Sequence, residues 1–286
     1  MHPILFRLDE IGFALHSYGL CMALGILCGY AVLSRLTRTR GMPSERLDRL
    51  VLLVVFSGLL GARLLYVAEH WGPYAADPAA ILRVWEGGLV FYGCVILGGL
   101  AIVADALLTR TSMRALLDLG GVALPLGQAF GRIGCFLNGC CWGRVSDSFC
   151  AVRYPHGSPA WTDQCWSGLI PRDAAFSLPV LPSQLFEAAG CLLLFGLLLR
   201  LYVRLHPADR PEPLSGRAPG AVAAAYLAGY GALRFFIETL RSDPRAHPFG
   251  GPLTISQTIS VGCWLAAAAL LAPLLARRFR ARARRG

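Results

Sequence analysis

The sequence predicts an all-α polytopic membrane protein with seven transmembrane helices, an outward N-terminus, a cytoplasmic C-terminus and a small cap outside the membrane. Three observations lead to this prediction: the composition, a series of long apolar runs, and the distribution of the arginines. Of the 286 residues, 55% are hydrophobic and only 15% are charged, whereas a soluble domain carries about 25% charged residues. The mean hydropathy of +0.53 likewise argues against a water-soluble enzyme.

Seven apolar runs are long enough to cross a bilayer, which takes about 20 mostly apolar residues in a helix. The first, third, fifth and last runs are the strongest. The second, fourth and sixth contain arginine or glutamate, and a central charge costs about 2.5–3.5 kcal/mol on insertion. In chain order, the runs cover residues 12–34, 49–70, 88–108, 115–137, 183–204, 219–241 and 253–276.

The arginines indicate the orientation of the chain. All 27 basic residues are arginines, and 17 of them lie in alternate loops or in the C-terminal tail. Because cytoplasmic loops carry the excess of positive charge, these segments are predicted to face the cytoplasm, and an odd number of spans then puts the N-terminus outside. The 17 are Arg35, Arg38, Arg40, Arg46, Arg49, Arg110, Arg114, Arg200, Arg204, Arg210, Arg217, Arg277, Arg278, Arg280, Arg282, Arg284 and Arg285.

The domain organisation is predicted to be a single membrane domain over residues 1–286. The outward segment 138–182 is expected to fold as a cap, the Pro- and Gly-rich stretch 206–220 to be a cytoplasmic loop, and 277–286 to be a basic cytoplasmic tail. A net charge of +10 can also indicate nucleic-acid binding, but placement beside the spans accounts for the charge, so no nucleic-acid partner is expected. The first run follows acidic residues and is long, so no cleavable signal peptide is expected, and the lack of an internal repeat disfavours a transporter.

Ionisable residues inside the predicted spans are the first candidates for function. Such groups are costly in lipid and usually face the protein interior or a wet cavity. Two interpretations stay open for most of them, namely ion pairs that hold helices together and a functional site. For Arg132 and Arg234 we favour the functional one. The full set is Arg63, Glu69, Arg132, Glu187, Arg234 and Glu238.

Two arginines in an outward-facing membrane cavity suit one class of ligand. The guanidinium group stays charged, and its planar fork matches the oxygens of a phosphate. The sequence therefore predicts a site for a phospholipid head group. The acid–base candidates for the same cavity are His16, Tyr18, Tyr92, Glu187 and Tyr230.

Six ordered segments resemble the bacterial prolipoprotein diacylglyceryl transferase family. The most specific is residues 131–144, GRIGCFLNGCCWGR, which is similar to the signature segment of that family. The resemblance covers residues 12 to about 276. The other segments, in order, are HSYGL at 16–20, GARLLY at 61–66, VWEGGL at 84–89, PSQLFE at 182–187 and YGALRFFIE at 230–238.

The resemblance implies a reaction and a location. Members of this family transfer a diacylglyceryl group from phosphatidylglycerol to the thiol of the lipobox cysteine in a prolipoprotein, forming a thioether and releasing glycerol phosphate. They are multi-pass proteins of the bacterial inner membrane, with seven spans, an outward N-terminus and a small periplasmic head. The expected partners are therefore phosphatidylglycerol, a prolipoprotein signal peptide and the membrane, with no cofactor and no metal.

The resemblance also implies roles for individual residues. Arg132 and Arg234 match the family arginines that hold the phosphate. Other matching positions are expected to orient the lipid head group or to line the cavity. These are Tyr18, Asn138, Gly143, Gln184, Glu187, Tyr230 and, within the last segment, Glu238.

The chain departs from the family pattern at four positions. Tyr92 stands where the family has the histidine proposed as its base, and tyrosine, with an ordinary pKa of about 10, is a poor base at neutral pH. Cys135 replaces an asparagine, Cys140 replaces a glutamate and Leu181 replaces a histidine. His16 is the best substitute base, since it is the only histidine in a predicted span.

Three interpretations stay open for Cys135, Cys140 and Cys141, namely small apolar packing residues, reactive thiols and metal ligands. Cys140 and Cys141 accordingly join the catalytic candidates Tyr92, His16, Tyr18 and Tyr230. Two other functions remain alongside the transferase: a paralogue with cysteine-dependent chemistry on a lipid or envelope partner, and a non-catalytic lipid-binding membrane protein.

In the cap, a Cys150–Cys165 disulfide is expected, since disulfides persist outside the cytoplasm.

Overall fold

The computed structural model of the protein describes residues 4–8, 13–206, 218–242 and 252–283. An antiparallel hairpin of β1 (Ile4–Leu8) and β2 (Phe13–His16) precedes the helices. The all-α prediction therefore holds apart from this hairpin. The helices are α1 (Ser17–Arg38), α2 (Ser44–Glu69), α3 (Trp71–Ala76), α4 (Phe91–Leu108), α5 (Met113–Asn138), α6 (Pro159–Trp166), α7 (Ser183–Leu205), α8 (Ala221–Leu240) and α9 (Ile255–Ala283), with short 3₁₀ turns at Pro78–Leu82 and Val84–Glu86.

Each of the seven predicted runs corresponds to one long helix. Five of these helices are long and apolar enough to cross a membrane, namely α1, α2, α4, α7 and the part of α9 that ends at Ala276. The second run, expected to be weak, is thus among them. Helices α5 and α8 are not, and they are the two that carry Arg132 and Arg234. The apolar helices identify a membrane protein, while the full count of seven spans and the orientation stay predictions.

The start of the first helix differs from the prediction. The apolar run begins at residue 12, but α1 begins at Ser17 and extends to Arg38, because Phe13–His16 pair with β1 as a strand. A short apolar run before a helix does not by its periodicity distinguish strand from helix. His16 was expected to lie inside the first span. It lies instead at the end of β2, where it is exposed.

Some predicted segments lie outside the described residues. The loop predicted at 206–220 is described only at its two ends. In the tail, helix α9 is described to Ala283, and the side chains of 277–286 lie outside the description.

The chain divides into two compact units. Of the described residues, the smaller unit contains 33–117. The larger contains 4–8, 13–32, 118–206, 218–242 and 252–283.

In the smaller unit, two glycines allow α2 and α4 to pack backbone to backbone. A Cβ atom on Gly61 would collide with the carbonyl oxygen of Gly93, and a Cβ on Gly93 would collide with that of Gly61. Small residues at helix contacts are typical of membrane helices because they permit this close approach.

Arg63 also has a structural place in the smaller unit. It is only 4% exposed, and its guanidinium donates hydrogen bonds to the carbonyl oxygens of Ala80 (2.6 Å), Gly87 (2.7 Å) and Ile81 (2.9 Å). Arg63 therefore ties the connection between α3 and α4 to α2 through backbone carbonyl groups. Glu69 lies at the exposed end of α2.

In the larger unit, a buried carboxylate joins α5 to the beginning of α8. Asp118 is 1% exposed and accepts hydrogen bonds from the backbone N–H groups of Gly220 (2.7 Å) and Ala223 (2.8 Å). The first N–H groups of a helix have no partner within the helix, and a negative charge there interacts favourably with the helix dipole. This contact fixes α8, which carries Arg234, against α5, which carries Arg132.

The segment between α5 and α7 is folded around its own small core. Trp142, Tyr154, Ala160 and Val180 form a buried cluster. The backbones of Val152 and Val180 exchange two hydrogen bonds of 2.9 Å. The segment predicted as a folded cap is therefore ordered, and its position outside the membrane stays a prediction.

The glycine contact between α2 and α4 provides a test of helix packing. We expect Gly93→Ala to lower the free energy of unfolding by about 1–3 kcal/mol, because the added methyl group has to push the two backbones apart. Gly99→Ala is the matched control, since a Cβ at Gly99 has nothing within 4 Å and alanine favours a helix. Unfolding of the purified protein in detergent measures both, and equal stability of the two variants would contradict the packing assigned to Gly93.

Candidate functional site

Glu187, in the second turn of α7, is the centre of the charged cluster in the larger unit. Its carboxylate is 1% exposed. Oε2 lies 3.0 Å from Nε of Arg132 on α5, and Oε1 lies 3.9 Å from Nε of Arg234 on α8. The hydroxyl of Tyr230 donates a hydrogen bond to Oε1 at 3.3 Å. The structure thus brings the two predicted phosphate arginines to opposite oxygens of one buried carboxylate.

A second carboxylate holds Arg234 from within its own helix. Glu238 lies one turn further along α8, and its Oε2 is 2.8 Å from Nη2 of Arg234. Residues four apart lie on the same helix face, so this contact follows from the sequence spacing. Glu238 is itself fixed by Thr254, whose hydroxyl donates a hydrogen bond to Oε1 at 2.6 Å.

Arg234 retains one unused donor. Its Nη2 also donates to the hydroxyl of Ser256 at 2.9 Å, whereas its Nη1 is buried without a hydrogen-bond partner among the described residues. Buried donors are nearly always paired. The side chains of Arg132 and Arg234 are 20% and 12% exposed, so both are restrained yet still partly accessible. The arrangement can therefore accept an anion.

A cluster of three thiols follows Arg132 along the chain. The Sγ atoms of Cys135, Cys140 and Cys141 all lie within 4.8 Å of one another, and the three residues are partly buried. Cys135 is one turn beyond Arg132 on α5. Among the described residues, this is the one group of three potential metal ligands that the structure brings together. We call it the thiol cluster.

The loop that carries the thiol cluster has an unusual backbone. Gly139, directly after α5, has a φ of +77°, and Cys141 has a φ of +63°. A glycine in this conformation is a common way to end a helix, but a non-glycine residue there costs of order 1–3 kcal/mol and often marks a functional site. Hydrogen bonds from the Cys135 and Cys140 thiols, with the charges of Arg241 and Arg132, lower the pKa of the Cys141 thiol.

The first turn of α7 holds this loop in place. The hydroxyl of Ser183 donates to the carbonyl oxygen of Cys141 at 2.9 Å, and Nε2 of Gln184 donates to that of Cys140 at 2.6 Å. The same Nε2 atom donates to the hydroxyl of Tyr154 at 2.9 Å. Burial raises the pKa of Tyr154 to about 12, so its hydroxyl stays protonated. Gln184, predicted to bind the lipid, thus supports the thiol loop.

Gly143 has a packing role in the structure. Its N–H donates to the carbonyl oxygen of Leu181 at 2.9 Å, and the next N–H, of Arg144, donates to that of Leu240 at 2.9 Å. A Cβ on Gly143 would lie within 3 Å of both carbonyl oxygens. Only glycine fits here, because the segment is held between the beginning of α7 and the end of α8.

The remaining four predicted residues each lie on a different element. Tyr18 lies in the first turn of α1, 43% exposed, against Gly134 of α5. Asn138 ends α5 and is hydrogen-bonded to the Cys140 thiol. His16 is exposed beside Tyr18 in sequence. Tyr92 begins α4 in the smaller unit and is 45% exposed.

Sequence reasoning missed Thr254 and Ser256, which contact the charged cluster from α9. A signal for them existed, since Thr254 and Gln257 form a capping box, with reciprocal hydrogen bonds of 3.3 and 3.1 Å. That pattern marks a helix start but does not reveal the contact with α8.

The expected Cys150–Cys165 disulfide is wrong for this structure, in which both are free thiols. The Sγ atom of Cys150 lies 3.3 Å from the hydroxyl of Ser148.

Comparison with known proteins gives a consistent result. The family model described as prolipoprotein diacylglyceryl transferase matches residues 3–273. A phosphatidylglycerol–prolipoprotein diacylglyceryl transferase of Clostridium perfringens is 33% identical over 255 residues, which is 89% of each chain. The enzyme of the same name from Parasynechococcus marenigrum is 34% identical, over 85% of this chain and 81% of the relative. That of Pasteurella multocida is 32% identical, over 94% and 90%.

The charged cluster makes a prediction about stability. Replacing Glu187 by Ala should lower the free energy of unfolding by about 3–5 kcal/mol, because two mostly buried arginines lose their shared counter-charge. Glu187→Gln, which keeps the shape, should lose less. Asp77→Ala is the control, since Asp77 pairs with Arg83 at 2.7 Å on the exposed surface and such pairs contribute about 0–1 kcal/mol. Similar losses for Glu187→Ala and Asp77→Ala in detergent unfolding would contradict the central place of Glu187.

Proposed function

The chain belongs to the prolipoprotein diacylglyceryl transferase family, and we propose that it transfers a diacylglyceryl group from phosphatidylglycerol to a prolipoprotein. The observation that carries this proposal is the pair of arginines on one buried carboxylate, at the positions where the family signature predicts them. The acceptor is the thiol of the lipobox cysteine, and the product is a thioether.

The arginines act on the phosphate of the lipid. The acceptor sulfur attacks the glycerol carbon that bears the phosphate, a C–S bond forms, the C–O bond breaks, and glycerol phosphate leaves with the electron pair. The charge that develops on the leaving oxygen is stabilised by fixed cationic donors. Arg132 is partly accessible and Arg234 has an unpaired Nη1 donor, which supports this role.

Glu187 and Glu238 orient these arginines rather than contact the lipid. Both carboxylates are buried, and each accepts an arginine contact that sets the direction of a guanidinium group. Tyr230 donates to Glu187 and so belongs to the same network. We assign Asn138, Gly143 and Gln184 to the support of the adjoining loop, and Tyr18 to the accessible rim beside it.

The reaction also needs a group that takes the proton of the acceptor thiol. Tyrosine is a poor base at neutral pH, and Tyr92 stands in place of the family histidine. Histidine is the usual proton acceptor near neutral pH, and His16 is exposed at the end of β2, directly before α1. We propose His16 as the residue that takes up this proton.

We place the protein in the bacterial inner membrane with seven spans and with its active site towards the periplasm. The five apolar helices and the arginine-rich loops between alternate runs support this topology. Helices α5 and α8 complete the seven spans, because their arginines, Arg132 and Arg234, are both paired with Glu187 of the apolar helix α7. The segment between α5 and α7 then forms the periplasmic cap.

A second candidate function follows from the thiol cluster. A paralogue that binds a phospholipid but performs cysteine-dependent chemistry would also keep both arginines and would explain the replacement of the family asparagine and glutamate by thiols. In that case Cys140→Ser and Cys141→Ser should abolish activity while lipobox peptides remain unmodified. A lipid-binding protein without turnover is the remaining alternative.

Arg132→Ala and Arg234→Ala should each reduce transfer at least 100-fold, since removing one charge-stabilising donor costs about 10²–10³ in rate. The assay uses phosphatidylglycerol and a lipobox peptide and detects the thioether by mass. Arg153→Ala, an exposed arginine of the cap, is the matched control and should retain full activity. An active Arg132→Ala variant would contradict the phosphate site, and an inactive wild-type protein that is correctly inserted would contradict the transferase function.

His16→Ala should slow transfer more at pH 7 than at pH 9. A thiol with an ordinary pKa of about 8.5 ionises without help at the higher pH, so the need for a proton acceptor disappears. His70→Ala, at an exposed histidine of the smaller unit, is the control. A pH–rate profile for each variant is the measurement, and an unchanged profile for His16→Ala would remove His16 from the reaction.

A further inference from the structure

The thiol cluster offers three soft ligands at one point. The three Sγ atoms lie within 4.8 Å of one another. Zn–S bonds are about 2.3 Å long, so three sulfurs around one tetrahedral ion lie about 3.8 Å apart. Small rotations of the side chains bridge the difference. Thiolates select thiophilic ions such as Zn²⁺ and Cu⁺ over hard cations.

The backbone that carries the cluster is held as a built site would be. The carbonyl groups of Cys140 and Cys141 are fixed by hydrogen bonds from Gln184 and Ser183. The N–H of Cys140 donates to the carbonyl oxygen of Cys135 at 3.2 Å. Ligands whose supporting groups are fixed bind metal more tightly than mobile ones. Apolar packing residues would not need this restraint.

The surrounding charges also fit a thiolate–metal group. Three thiolates carry three negative charges, so a divalent ion leaves a net charge of −1. Arg132 and Arg241 are the cations that act on Cys141, and their charge stabilises an anionic complex. The same arginines would repel a metal cation next to neutral thiols. The metal ion is therefore expected to bind only when the thiols lose their protons.

We infer that Cys135, Cys140 and Cys141 bind one thiophilic metal ion, with Zn²⁺ as the expected species, and that its fourth coordination position accepts the thiol of the acceptor cysteine. The second half of this inference rests on the proposed transferase function. Three protein ligands and one open position are the pattern of catalytic zinc sites.

Such a site would promote deprotonation of the acceptor thiol, which the family histidine is expected to do and Tyr92 in its place is not. A thiol that coordinates a metal ion loses its proton at neutral pH, and the proton passes to His16 or to water. The bound thiolate sulfur then attacks the glycerol carbon of phosphatidylglycerol. The C–S bond forms, the C–O bond breaks, and glycerol phosphate takes the electron pair beside Arg132. The thioether, a weaker ligand than a thiolate, leaves the metal.

Titration with Co²⁺ tests the metal site without any need for turnover. The full-length protein is purified in detergent under reducing conditions, freed of metal with a chelator and titrated with Co²⁺. We expect one ion per chain, with the near-ultraviolet absorption of cobalt–thiolate bonds. The triple variant Cys135→Ser/Cys140→Ser/Cys141→Ser should lose this absorption. The double variant Cys150→Ser/Cys165→Ser, at the two cap cysteines, should keep it.

The open position is tested on the same cobalt protein. A lipobox peptide with its cysteine should raise the thiolate absorption by about one third, since four thiolates replace three, and the peptide with serine in its place should not. If Co²⁺ binding does not depend on the three cysteines, the whole inference is overturned. A disulfide among the three cysteines in the protein isolated without reductant would also overturn it. An unchanged spectrum with the cysteine peptide would overturn the role of the open position.

These readouts separate the inference from the proposed function. Cobalt binding with a peptide-dependent spectrum but without thioether formation supports the metal site and contradicts the transferase activity. Full thioether formation by the metal-free triple variant supports the transferase and overturns the catalytic role of the metal. A variant that fails to insert is recognised by its unfolding profile. In that case Gln184→Ala is the second variant to test, because it leaves all three thiols in place. It should weaken Co²⁺ binding by loosening the loop.

Discussion

A buried carboxylate that faces two arginines is the constraint around which the larger unit is arranged. Glu187 is almost completely buried, and its burial is tolerated because Arg132 and Arg234 approach it from different helices. A charge pair of this kind contributes little net stability, yet breaking it is costly. The network instead fixes how the helices pack, since α5, α7 and α8 each have to bring one charged side chain to the same place.

The loop after α5 depends on that arrangement and extends it. Its backbone is held by the first turn of α7 through Ser183 and Gln184, and by the end of α8 through Arg144. The helices that fix the arginines therefore also fix the three thiols. The arginine-bearing cluster and the thiol cluster consequently lie side by side, since Arg132 and Cys135 are one helical turn apart along α5.

The fold could largely be predicted from composition, because apolar runs near 20 residues have few alternatives to a helix. The boundaries were less certain. Residues 13–16 are apolar enough to continue the first helix, but they pair with β1 instead, and no local signal separates the two outcomes. The glycines of α2 and α4 illustrate the same limit, since a glycine in an apolar run does not indicate which backbone will approach it. Among the site residues, Arg132, Arg234 and Glu187 were predicted as a group, whereas Thr254 and Ser256 were visible only as a helix start.

The sequence by itself determined the class of protein, the positions of its long helices and the pair of arginines suited to a phosphate, because these depend on composition and on order along the chain. Only the tertiary structure decided which charges meet. It assigned Arg63 to backbone carbonyls, Gly143 and Gln184 to the support of a loop, and Cys135, Cys140 and Cys141 to a single cluster. The physical reason is that hydrogen bonds and ion pairs act over about 3 Å, and residues that are far apart in the chain reach that distance only when helices pack.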